Sequence, residues 1–426
     1  MNKKTIISWV LFDFANSAYT TLVVTFIYGT YFVKAIAPNE IVGTALWSRG
    51  ITITAVSVAI LSPFFGAIAD HANLRKQFLF FSTIITILGS ALLYFVQPGQ
   101  ILLALFCFVT SNIAFELTNV FYNAFLPEIA SKEKIGSISG IGWGVGYIGG
   151  LLAMLIAMIC FISPEIPWFG LSRETGENIR ATNLLVAGWF ALFSIPLFLF
   201  VKQAAKTERK SLKKVVKQSF SDIITTFKEL KKYREIAKLL IARLFYNDGL
   251  VTIFAFGGIY AAGTFGFTFN EIMSFGIVIN ISAGIGALVM GFLDDKIGGK
   301  KTIQISNIAL ALASLLAVLA SNKSLFWVAG ICIGLFAGPN QSASRSLLGR
   351  FVPKDKENQF FGFFAFSGKL TAFMGPLLLG FLTGLFNSQR VGVSIVILFF
   401  IIGALILTTV NETKGIKTAE RSNSHE

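Results

Sequence analysis

The chain has 426 residues, of which 54% are apolar and 14% charged, and it carries a formal net charge of +14, against about 25% charged residues in an ordinary soluble domain. A mean hydropathy of +0.71 excludes a water-dispersed enzyme, because a soluble chain of this size clothes its surface in polar groups. With 44 Phe and 39 Gly, the composition suits a polytopic helical membrane protein, and the basic excess needs an explanation other than nucleic acid.

Apolar segments of roughly 20 residues recur along the chain, each long enough at 1.5 Å per residue to cross about 30 Å of hydrocarbon. About twelve are predicted, centred near Thr20, Ser57, Ile87, Ile113, Gly150, Phe193, Val251, Val278, Leu312, Gly334, Ala372 and Leu398. The expected fold class is an all-α polytopic membrane protein with twelve transmembrane helices in two pseudo-symmetric six-helix bundles. The first segment begins near Ile6, holds polar residues and has no small-residue cleavage site, so it reads as a retained helix. The expected division is a bundle over residues 1–201, a basic connection over 202–236, a second bundle over 237–411 and a tail over 412–426.

Lys and Arg sort to one side. With both termini cytoplasmic, 28 of the 36 basic residues fall in cytoplasmic segments and six on the opposite side, while Arg243 and Lys369 lie inside spans. Twelve of them crowd residues 202–238, where Ile223, Ile224, Phe227 and Leu230 fall at helical spacing. That stretch reads either as an amphipathic helix on anionic membrane lipid or as a solvated connector that enforces topology; a nucleic-acid partner is not expected. Cys107, Cys160 and Cys332 are scattered singly, and the histidines are His71 and His425 alone, so no metal site, cofactor or redox chemistry is expected.

The two halves share a loop. Gly66, Asp70, Arg75 and Lys76 repeat as Gly291, Asp295, Lys300 and Lys301 at an offset of 225 residues, and Phe125, Pro127, Ser139 and Gly140 recur as Phe351, Pro353, Ser367 and Gly368. Duplicated halves place a transport site between them. This paired loop resembles that of the major facilitator superfamily. The resemblance implies that the glycine permits close helix approach and that Asp and bases form a charge network holding the outward-facing state. The alternative is that the bases only set topology. Trp9 to Tyr19, Val120 to Glu128, Gln341 to Ser346, and Phe360 to Pro376 are similar to the bacterial branch of the vacuolar amino-acid effluxer family, with Phe12 where Tyr is expected. Almost the whole chain shares the likeness. It implies a monomeric transporter of the bacterial cytoplasmic membrane that exports an amino acid or related solute.

A charge near the bilayer centre costs at least about 2.5 kcal/mol, so each one inside a span asks for a reason. Asp13, Asn16 and Tyr19 form a polar stripe in the first span; Asp13 reads as a proton or substrate acceptor, or as a carboxylate paired with a neighbouring helix. In the fourth span Glu116, Asn119 and Asn123 share a face, with Tyr122 beside them. Glu116 is the first candidate for proton coupling, the alternative being a fixed ion pair with Lys369. The seventh span carries Arg243, Tyr246, Asn247 and Asp248. Arg243 suits a substrate carboxylate, or else snorkels to the surface, and Asp248, Asp13 or Glu116 can receive an ammonium. Lys369 is expected near mid-depth as counter-ion or anion site. Asn340 and Gln341 close the tenth span, where Arg345 reads as a gate beside Asp70, Arg75, Lys76, Asp295, Lys300 and Lys301.

Gly144, Gly146 and Gly149 match G-x-G-x-x-G but follow no strand, so helix packing is the better reading than dinucleotide binding. No P-loop string occurs. What remains is a secondary transporter working by alternating access with protons and a small polar solute as partners. A lipid or amphiphile exporter and a non-transporting receptor are the alternatives.

Overall fold

The computed structural model describes residues 2–203, 232–354 and 356–424; the helix expected around Ile223 to Leu230 lies outside the described residues. All regular elements among them are helical. In the first half these are α1 (Lys3–Ala18), α2 (Glu40–Ala72), α3 (Arg75–Phe95), α4 (Ile101–Asn123), α5 (Ile135–Ala157) and α6 (Glu177–Phe200). The second half holds α7 (Arg234–Phe265), α8 (Phe269–Ile297), α9 (Gly299–Leu319), α10 (Lys323–Phe351), α11 (Glu357–Leu370), α12 (Met374–Phe386) and α13 (Gln389–Thr408), and α14 (Glu412–Ser424) follows.

Among the described residues, eleven helical segments are long and apolar enough to cross a membrane. α10 has the length, 29 residues, but buries Asn340, Arg345 and Arg350 in its second half, which lowers its apolar content. Every predicted centre falls on a helical span except one. Ala372 marks a break: α11 ends at Leu370 and α12 begins at Met374, with Thr371 at φ −112° and ψ 0°. Pro376 explains part of this, because its ring clashes with the carbonyl four residues back, that of Ala372 itself. The first span is also irregular. α1 continues through π-helical turns at Tyr19–Phe26 and Phe32–Ile36 around a short helix at Tyr28–Tyr31.

Within the halves, α1 packs on α5 and α6, α3 on α4 and α6, α7 on α13, and α9 on α10 and α13. Between them, α2 runs along α11 and α5 along α8. The duplicated glycines set both seams. A Cβ on Gly66 would sit 2.3 Å from the Asn358 carbonyl oxygen, and one on Gly291 would sit 2.9 Å from Gly140 Cα. In the G-x-G-x-x-G string, a Cβ on Gly149 would meet the Phe14 carbonyl oxygen at 2.3 Å; close approach of α5 to α1 is what that glycine permits.

Candidate functional site

Both chain ends lie on one face of the molecule, and there the halves are closed by charge. Asp70 caps α11 of the other half: it accepts hydrogen bonds from the backbone N–H of Asn358 at 3.1 Å and of Gln359 at 2.8 Å, and from Asn358 Nδ2 at 2.6 Å. Asp295 does the same for α5, accepting from the N–H of Gly136 at 2.7 Å and of Ser137 at 3.0 Å. In each copy a carboxylate sits on the positive end of a helix from the opposite bundle. Arg75 bridges too, its guanidinium 3.1 Å from Glu357 and 2.7 Å from Glu128.

The other bases of the duplicated loop do not cross. Lys76 Nζ donates to Val201 O at 2.8 Å and Lys300 Nζ to Thr408 O at 2.8 Å, while Lys301 is exposed. Arg350 crosses instead, 2.7 Å from Asp294 and within reach of the Lys132 carbonyl at 3.2 Å. Sequence reasoning missed Arg350, Asp294, Glu128 and Glu357. The available signal was helix length: α10 runs to Phe351, so Arg350 is a buried helical residue rather than a loop charge. Outside this layer α14 spans the halves, with Glu412 accepting from the N–H of Gly299 and Lys300, both at 3.0 Å, and Glu420 2.9 Å from Lys132.

One prediction follows from the seam. Gly66→Val should force α2 from α11 and destabilise the closed layer, seen as labelling of a cysteine introduced at Asn358 by a membrane-impermeant maleimide; protection equal to the parent would contradict it.

Deeper in, Arg345 gathers the first bundle. Its Nη1 donates to Asp13 Oδ2 at 2.9 Å and Asn123 Oδ1 at 3.1 Å, its Nε to Ser139 Oγ at 2.9 Å and its Nη2 to Ser139 O at 2.7 Å. The guanidinium also lies 4.7 Å over the Trp9 ring. A second bridge joins the bundles: Lys369 Nζ lies 2.6 Å from Glu116 Oε1.

Above these bridges is a cavity of about 2550 Å³ whose lining runs from Asp13 and Arg345 up to Thr30, Lys34 and Arg173 near the helix ends of the other face. It therefore opens away from the chain ends. Of the residues singled out in the sequence, Asp13, Asn16, Glu116, Asn119, Asn123, Arg243, Asn247, Gln341, Arg345 and Lys369 line it. Arg243 does not snorkel: it donates to Phe364 O at 2.8 Å and Ser367 Oγ at 3.0 Å and stacks 3.6 Å over the Phe364 ring.

Five of the singled-out residues are not brought to the cavity wall. Tyr122 stacks on Trp9 and donates to its carbonyl at 2.9 Å; Tyr19 pairs with Ser111 Oγ at 2.7 Å, and Tyr246 with Ser344 Oγ at 2.8 Å. Asn340 donates to Asn307 Oδ1 at 2.7 Å. Each of these groups finds a hydrogen-bond partner inside its own bundle, although Asn340 Oδ1 has none. Asp248 is buried behind the wall.

Two helical bundles about a cavity open at one face define a transporter of the major facilitator fold. The proton:xylose symporter XylE superposes with a TM-score of 0.76 at 13% identity over 98% of each chain. FucP in its outward conformation gives 0.74 at 13% identity over 96% of this chain and 98% of that one.

Residues 36–420 match the family described as "Vacuole effluxer Atg22 like", and the chain belongs to that family. It is 29% identical over 419 residues to the MFS-type transporter YxiO of Bacillus subtilis (strain 168), covering 98% of this chain and 97% of that one. Autophagy-related protein 22 of Yarrowia lipolytica is 22% identical, over 95% of this chain and 80% of its own length. The chain is thus a multi-pass membrane transporter.

Proposed function

We propose that the protein exports an amino acid or a similar small zwitterion by alternating access, exchanging it for protons. In this reading it works as a monomer in the bacterial cytoplasmic membrane, with both termini cytoplasmic and residues 1–201 and 237–411 rocking about the cavity. The observation that carries it is the Glu116–Lys369 pair, one charge from each half, both lining the cavity. Separating the pair leaves two partly buried charges without their partners. A zwitterion removes that penalty from both sides at once, its ammonium on Glu116 and its carboxylate on Lys369 or Arg243. Asn16, Asn119, Asn247 and Gln341 line the same cavity and supply uncharged hydrogen-bond partners. Asp13, Glu116 and Asp248 are the proton-coupling candidates, and the closed charge layer is the gate.

An amphiphile is the second reading, because Ile60 on α2 and Phe373 beside the break line the cavity and are 68% and 63% exposed, which gives its wall apolar surface. Counterflow into proteoliposomes loaded with amino acids, sugars or a fluorescent lysolipid separates the two. The expected result is saturable amino-acid exchange that falls at least tenfold in Glu116→Gln and Lys369→Gln. Exchange of lysolipid or sugar alone contradicts the proposal.

A further inference from the structure

One turn of α7 staples the break in the eleventh span. Arg243 holds Phe364 O and Ser367 Oγ, Asn247 Nδ2 donates to Gly368 O at 3.1 Å, Leu244 O accepts from Thr371 Oγ1 at 3.1 Å, and Asp248 lies beside Gly375 at the start of α12. Asp248 is 1% exposed, and its Oδ1 has no hydrogen-bond partner. Thr252, one turn on and fully buried, also has an unpartnered hydroxyl, which lies against Gly375. Thr252 lines the cavity although Asp248 does not.

The charges on the packed elements are engaged elsewhere. On α7 itself Arg243 is bound to α11, Tyr246 to Ser344, Tyr260 to the Ala317 carbonyl, and Glu235 to Lys238. On α11, Lys369 pairs with Glu116 and Glu357 with Arg75; α10 commits Arg345 to Asp13, Arg350 to Asp294 and Lys323 to Glu271 of α8. On α8, Asp295 is held by Arg350 and by α5, and Lys296 is exposed. α12 carries no ionisable side chain, α13 only Arg390, which donates to Val318 O, and the charges of α14 lie at the chain-end face.

We propose that Asp248 is the proton-binding residue of the transport cycle and that the broken segment 371–373 passes its protonation to Lys369. Asp13 and Glu116 are then the gate and substrate charges, not the carriers. This deepens the proton-coupled reading and rests on it for its place in the cycle. When ionised, the carboxylate favours the positive end of the 13-residue α12 that starts beside it. A proton arriving from cavity water past the Thr252 hydroxyl binds Oδ1 and turns the orphaned acceptor into a donor toward Thr252. The neutral acid loses that attraction, the start of α12 loosens, and Lys369, six residues earlier, is released from Glu116. Loss of the proton to the other side restores the staple.

The test needs no substrate. In full-length protein with Cys107, Cys160 and Cys332 replaced by Ser, spin labels at Ile41→Cys and Ser321→Cys report the width of the open face. A carboxylate whose proton affinity differs about tenfold between two states changes their ratio about tenfold across its titration. The open-to-closed ratio is expected to shift by that order between pH 5.5 and 8.5 in the parent and in Asp248→Glu, and to be flat in Asp248→Asn. Thr252→Val, which keeps every charge, should displace the midpoint. A parent ratio independent of pH, an unaltered titration in Asp248→Asn, or, should that variant not fold, an unmoved midpoint in Thr252→Val would overturn the proposal. Amino-acid counterflow alongside an overturned titration leaves the transport reading standing with another carrier. A titration lost in Asp248→Asn without amino-acid counterflow removes the substrate reading instead.

Discussion

Arg345→Ala is expected to open the face that carries the chain ends and to deplete the state with the cavity open opposite. Arg345 makes every one of its hydrogen bonds to the other half: Asp13, Asn123 and Ser139, with its guanidinium over Trp9. Removing one partner of a buried pair costs about 3–5 kcal/mol, because the remaining charge stays buried and unpaired. Here that charge is Asp13, at the floor of the cavity, which is better hydrated when the halves part at the chain-end face. A loss of this size shifts a two-state ratio by about two to four powers of ten. Spin labels at the exposed Lys134 and Lys301, one on each half, should move from a short to a long distance. Arg345→Lys should fall between, since an ammonium lacks the planar fork that reaches Asp13 and Ser139 together. A parent-like distance in Arg345→Ala would contradict the account.

The second large effect is expected from the duplicated caps. Asp70→Ala orphans two backbone N–H groups at the start of α11, and Asp295→Ala orphans two at the start of α5. Hydrogen bonds to a charged acceptor contribute about 1.5–3 kcal/mol, so each substitution should weaken closure by about 2–3 kcal/mol. The two caps lie on different seams and share no partner, so their effects should add in the double variant. The same labels measure this. A double variant no different from either single one would show that one seam alone holds the face shut.

Much of this was legible in the sequence, for identifiable reasons. Eleven predicted centres fall on helices because a bilayer demands long apolar runs and leaves no other pattern open. The paired Gly66/Asp70 and Gly291/Asp295 motif was legible as a duplication, and the structure joins each copy to the opposite half. The twelve basic residues of the connection read as a membrane-surface helix or as a topology signal, and most of them lie outside the described residues.

What stayed hidden depended on contacts between distant residues. Arg350 and Lys300 are both bases near a helix end, and only the packing of α10 against α5 makes the first a bridge and leaves the second at Thr408. The aromatic hydroxyls of Tyr19, Tyr122 and Tyr246 shared faces with cavity residues by spacing alone, yet each finds its partner inside its own bundle. Pro376 hinted at the break after Leu370, but Pro63, Pro196 and Pro339 sit in unbroken helices. The difference is the staple from Arg243 to Asn247, which supplies partners for backbone that a lipid-facing helix could not leave open.

The central claim is that a zwitterion bound at the Glu116–Lys369 site is exchanged for protons. Its most direct measurement is uptake of labelled amino acids into proteoliposomes under an imposed pH gradient. The account predicts accumulation when the lumen is acidic, none without a gradient, and loss of uptake in Glu116→Gln. Accumulation only with acid outside, or gradient-driven uptake that survives Glu116→Gln unchanged, would contradict it.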